Sequence, residues 1–101
     1  MYKAVMQCSC NLVKGADVQM FHSAAKRVYD EFMSKQRGFV SWVQLVDGEE
    51  WCDLLTFETM EDAQQAMAAG EGDAANQEFF SFIDLPSVKV KFYNVHGVMG
   101  E

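Results

Sequence analysis

The chain has 101 residues, half of them apolar, and carries 15 acidic against 8 basic side chains for a formal net charge of -7. That length supports one small domain over residues 1–101 with a single core, and the scattered Lys and Arg do not form the clustered positive surface that a nucleic-acid backbone requires. No apolar run approaches the roughly 20 residues of a membrane span, so a soluble, cytoplasmic protein with neither a nucleic-acid nor a membrane partner is expected.

Residues 2–13 alternate, with Ala4, Met6, Cys8, Cys10 and Leu12 on one face and Lys3, Gln7, Ser9 and Asn11 on the other. Period two over this length predicts a strand. Gly15-Ala16-Asp17 then opens a helix whose apolar stripe is Val18, Phe21, Ala25, Val28 and Phe32, with His22, Tyr29 and Met33 along its edge and Gly38 as its stop. Phe39 to Val46 and Glu50 to Phe57 both read as strands, and Asp47-Gly48 between them is a hairpin signal because glycine readily supplies positive φ.

At Thr59 the second of these strands runs into a helix reaching about Ala69, with Thr59 as N-cap and Asp62 as the answering acid of a capping box. Gly70-Glu71-Gly72 breaks the chain, Asp73 caps a shorter helix carrying Phe79, Phe80, Phe82 and Ile83, Pro86 closes that segment, and Val88 to Val95 forms a last strand. Strand, helix, strand, strand, helix, strand is the order of the ferredoxin-like α+β fold, a four-stranded antiparallel sheet with its helices on one face. The uncovered face is apolar, which predicts a homodimer formed face to face.

Hairpin parity places Trp42 and Gln44 on the same face as Trp51 and Asp53. A carboxylate among indoles is either a base of raised pKa acting on an acidic C–H or O–H, or the acceptor of an indole N–H. His22 and Tyr29 either reach a pocket between helix and sheet, as acid or base and as hydrogen-bond donor, or are ordinary half-exposed helix residues. His96, at the end of the last strand, is read as a tail or dimer contact. Cys8, Cys10 and Cys52 are read as small buried thiols: an odd count leaves one over, strand neighbours Cys8 and Cys10 lie roughly 6 to 7 Å apart, and there is no second close pair to build a zinc motif. Gly70-Glu71-Gly72-Asp73-Ala74-Ala75 matches G-x-G-x-x-A, but it follows a helix, and its acids would repel a pyrophosphate. With no P-loop, nucleophile elbow or H-E-x-x-H present, neither a cofactor nor a metal is expected.

The order of elements, the junction from Asp53 to Ala63 and the approach from Phe79 through Asp84 to Ser87-Val88-Lys89 resemble the antibiotic-biosynthesis-monooxygenase-like group of the dimeric α/β-barrel superfamily. The resemblance implies a homodimeric barrel with a pocket in each subunit between helices and sheet. It also implies either a cofactor-independent oxygenase or isomerase acting on a small aromatic or apolar molecule, or a non-catalytic dimeric ligand-binding or stress-related module. For the enzyme, Asp53, His22 and Tyr29 are the candidate catalytic residues, and Trp42, Gln44, Trp51 and Cys8 the candidate ligand contacts. Haem-degrading members use an Asn, a Trp and a His, and the matching positions here hold Cys8, Met67 and about Gln77, so haem cleavage is not expected.

Overall fold

A computed structural model of the chain describes residues 2–100. Strand β1 (Ala4–Asn11) uses both of its edges, pairing antiparallel with β3 (Glu50–Phe57) on one side and with β4 (Lys89–Asn94) on the other. The strand β2 (Phe39–Asp47) pairs with the free edge of β3, giving the order β2-β3-β1-β4. Three helices complete the domain: α1 (Val18–Glu31), α2 (Met60–Ala69) and α3 (Ala74–Phe80). The ferredoxin-like architecture is the one the order of elements predicts, with the second helical region split in two.

The alternation along β1 sorts as expected. Ala4, Met6 and Cys10 are buried against the helices, beside Leu55 and Phe57 of β3. From the other side the core receives Phe21, Ala24, Ala25 and Val28 of α1, Ala63 and Ala66 of α2, and Phe79 of α3. Phe21 stacks on Phe79 at 5.0 Å between ring centroids and meets the Trp51 edge at 5.3 Å, so one ring ties α1 to α3 and to β3.

Several details differ from the sequence reading. Val18 is 51% exposed, because it occupies the first turn of α1, at the rim of a cleft beside Trp51, outside the packed part of the stripe. The helix α1 stops at Glu31, where Phe32 leaves helical geometry; a 3₁₀ turn at Met33–Lys35 follows, and both Phe32 and Met33 reach the core. Gly38 does its work later, turning the chain into β2 with a φ of +76°. In the hairpin Asp47 pairs with Glu50, so the turn is centred on Gly48-Glu49, with Gly48 at φ +60° in the first central position. A type II′ turn places its glycine there. The shift by one residue leaves the parity of the flanking strands unchanged.

The caps follow local chemistry. Asp17, Thr59 and Asp73 each accept from the backbone N–H three residues on, at 3.0 Å in every case. The reciprocal arm of the expected capping box is not made: the Asp62 carboxylate instead lies over Gly38 and meets the Arg37 guanidinium at 3.3 Å. After α3, Phe82 and Asp84 run beside the end of β1, bonding to Val13 and Asn11 through the backbone. No helix among the described residues is long and apolar enough to cross a membrane.

Candidate functional site

Asp53 faces the helices from β3, in register with Cys8 on β1 and Gln44 on β2. It is only 5% exposed. Its Oδ1 accepts the indole N–H of Trp42 at 3.0 Å, one of the two roles open to a carboxylate at that position. Burial pushes the carboxyl above its usual range, while Trp42 and Gln44 pull it back. The Trp42 hydrogen bond is the formed one: the Gln44 amide lies beside the carboxylate, but its buried Nε2 falls outside hydrogen-bonding geometry.

Two separate compartments flank this carboxylate. The larger, about 530 Å³, lies between the β1–β4 half of the sheet and the α2–α3 layer, with Met6, Cys8, Met33, Met67, Phe80 and Val90 among its walls. Its polar groups come from the second helical region: Glu71, Asn76, Gln77 and Ser81. The smaller, about 290 Å³, is an open cleft between α1 and β2 lined by His22, Lys26, Tyr29, Trp42 and Gln44. A second cleft of about 440 Å³ shares His22 and Gln44 with it and reaches Trp51.

The residues singled out in the sequence are therefore divided. His22, Tyr29, Trp42, Gln44 and Trp51 belong to the α1 side, Cys8 alone to the large cavity, and Asp53 to the wall of neither. The packing explains the division: α1 sets Tyr29 against Phe39 of β2 and Phe21 against Trp51 of β3, whereas α2 crosses the sheet over β3, β1 and β4. Met67 and Gln77, which the resemblance had already raised, line the large cavity together with Cys8. Sequence reasoning missed Asn76, Glu71 and Ser81. The available signal was the spacing from the cap Asp73 to Asn76, three residues on.

Burial, then the nearby Asp53 charge, pushes the Cys8 thiol up to about 12, and the same causes push Cys10 to about 11. Both stay protonated near neutrality, so neither is a ready nucleophile. Asn76 is held by Asp73, whose Oδ2 accepts from both the backbone N–H and the side-chain Nδ2 of Asn76 at 3.0 Å. Those two bonds, the backbone one first, keep the Asp73 carboxyl below the usual carboxylate range.

No family model and no curated protein matches the sequence. Solved structures do match its fold. SnoaB, a cofactor-independent oxygenase from Streptomyces nogalater, superposes with a TM-score of 0.79 at 12% identity, over 100% of each chain. A protein from Nitrosomonas europaea, provisionally named an antibiotic biosynthesis monooxygenase, gives 0.72 at 12% identity over 98% of this chain and 95% of that one. One from Bacillus cereus with the same provisional name gives 0.65 at 16%, over 100% and 98%. The chain thus has the ferredoxin-like α+β fold of the antibiotic-biosynthesis-monooxygenase structures, along its whole length.

Proposed function

We propose that the protein is a cofactor-independent monooxygenase, or an isomerase of similar chemistry, acting on a small aromatic or otherwise apolar molecule in the cavity between α2–α3 and the sheet. The observation that carries this reading is the cavity of about 530 Å³, apolar on most sides with a few polar groups on one wall, within the range that binds small organic ligands. The fold shared with SnoaB, described as a cofactor-independent oxygenase, supports it.

In this reading a methylene activated by neighbouring rings or carbonyls loses a proton to Glu71, the carboxylate on the cavity wall. The resulting carbanion gives an electron pair to oxygen. One oxygen atom stays as the new carbonyl and the other leaves as water, so the methylene itself is the reductant. Asp53, held by Trp42 and outside the cavity, acts as a buried anchor of the sheet, and His22 and Tyr29 belong to the outer cleft. The working unit is a homodimer packed sheet to sheet, supported by Val43 and Leu45 at 48% and 46% exposure on the face away from the helices. Light scattering at micromolar concentration should give twice the monomer mass. Three free thiols fit a reducing cytoplasm.

A binding module without catalysis is the second reading, favoured by the protonated state of Cys8, the ionisable side chain of the sheet wall of the cavity. Oxygen uptake with anthrone, whose ring methylene oxidises to a carbonyl, separates the two. Uptake above the protein-free rate, with label from heavy oxygen gas in the product and a tenfold or larger drop in Glu71→Gln, is the expected result (about 10²-fold is typical of a general base). Binding of anthrone without uptake would leave the module, and absence of binding would remove both readings.

A further inference from the structure

We propose that the cavity between α2–α3 and the sheet selects uncharged ligands that donate a hydrogen bond, and that Asn76 is the residue that receives it. The inference rests on the reading of this cavity as the ligand site and goes beyond it by naming what the site accepts and rejects.

The argument begins with the orientation of one amide. An ionised carboxylate can only accept, so the side-chain group that Asn76 turns toward Asp73 Oδ2 must be its nitrogen. The amide oxygen then points the other way. Among the described residues the sealed polar atom without a partner is Gln44 Nε2, so Asn76 Oδ1, which receives no protein donor, remains open to an incoming group. Asn76 is 9% exposed and borders the cavity beside Gly70, where an added Cβ would stand 3.7 Å from the amide carbon. Cap geometry therefore fixes a hydrogen-bond acceptor on the polar wall, and it cannot flip to become a donor without facing an oxygen with an oxygen.

The remaining walls decide the charge. The lining contains no Lys, Arg or His, while Glu71 contributes a carboxylate. The nearby Arg27 is committed outside the cavity, bonding Glu31 at 2.9 Å and Glu78 at 3.4 Å. The Ser81 hydroxyl is spent on the Glu78 carbonyl, so an anionic ligand would give up its hydration for no more than the neutral Gln77 amide while meeting an acceptor and a like charge. A neutral hydroxyl group on a planar apolar body gives Asn76 Oδ1 the donor it lacks and leaves the Met and Phe walls to the rings.

Titration calorimetry at pH 7 with three probes of one shape tests this: 1-naphthol, which donates; 1-methoxynaphthalene, which cannot; and 1-naphthoate, which is charged. In the unaltered protein naphthol should bind about tenfold more tightly than the ether and at least about tenfold more tightly than the carboxylate, the effect of one hydrogen bond and of one unpaired charge. Asn76→Leu should bring naphthol to the level of the ether while moving the ether by about twofold or less, a pattern that a purely structural role would not produce. Met67→Trp, which fills the cavity, should abolish binding of all three. Equal binding of naphthol and ether, tighter binding of the carboxylate, or an equal loss of both neutral probes in Asn76→Leu would overturn the role of Asn76 while leaving the cavity as the site. Binding that survives Met67→Trp, or no binding at all, would overturn the cavity reading and this inference with it. Should Asn76→Leu fail to fold, the three-probe comparison on the unaltered protein decides alone.

Discussion

Trp42 and Asp53, on adjacent strands, are joined by a 3.0 Å hydrogen bond from the indole N–H to Oδ1, in the buried layer beneath α1. The bond spares the indole an unmet donor, but the same burial opposes ionisation of the carboxyl.

That balance sets a pH dependence. A carboxyl whose folded pKa is raised above its unfolded value stabilises the fold at acidic pH, and this contribution is lost as pH rises through the folded pKa. Asp53→Asn keeps an acceptor for Trp42 and removes the titration. Thermal melts from pH 4 to pH 8 should therefore show the variant gaining on the parent as pH rises. Asp53→Leu, which also lacks the titration but strands the buried indole N–H, should lie about 1–3 kcal/mol below Asp53→Asn at all pH values. A stability difference between Asp53→Asn and parent that stays flat with pH would contradict the assignment.

Gly38 has two reasons to remain glycine. Its φ of +76° strains any other residue, and an added Cβ would overlap the Asp62 carboxylate. Gly38→Ala should destabilise by about 2–4 kcal/mol, combining backbone strain with the clash. Adding Asp62→Ala should recover the steric part only, measurable as a partial return of the urea midpoint. Full tolerance of Gly38→Ala would show that the corner relaxes freely.

Thr59 accepts from Asp62 N–H at 3.0 Å and starts α2, which forms one wall of the large cavity. Thr59→Ala should cost about 1 kcal/mol, whereas Thr59→Ser should cost almost nothing because the hydroxyl is retained. Equal melting temperatures for the two variants would argue that solvent caps the helix equally well.

The Cys8 thiol, raised to about 12, should react with iodoacetamide at pH 8 at least about a hundredfold more slowly than an unfolded control. Mass spectrometry of a time course reads this directly. Rapid labelling of Cys8 in the folded protein would mean that the thiol is ionised in the cavity.

Legibility in the sequence followed the range of the interactions. The strand faces, the hairpin parity that joined Trp42 to Asp53, and the caps Asp17, Thr59 and Asp73 were readable because each depends on neighbours within a few residues and on a fixed backbone period. The turn at Gly48-Glu49 was displaced by a single residue for the same reason, since parity constrains faces more tightly than it constrains the turn itself.

What escaped was anything decided across the fold. Asp62 looked like the second half of a capping box, yet it turned toward Gly38 and Arg37, residues more than 20 positions away that only the sheet brings near. His22, Tyr29 and Cys8 looked like members of one pocket, yet the strand order β2-β3-β1-β4 sends them to opposite sides of the buried Asp53. The sequence by itself determined the elements, their caps and the face each side chain takes, because local backbone geometry sets all three. Only the tertiary structure decided which faces border the cavity and which polar groups, Glu71, Asn76, Gln77 and Ser81, stand on its wall, because that depends on where each helix crosses the sheet.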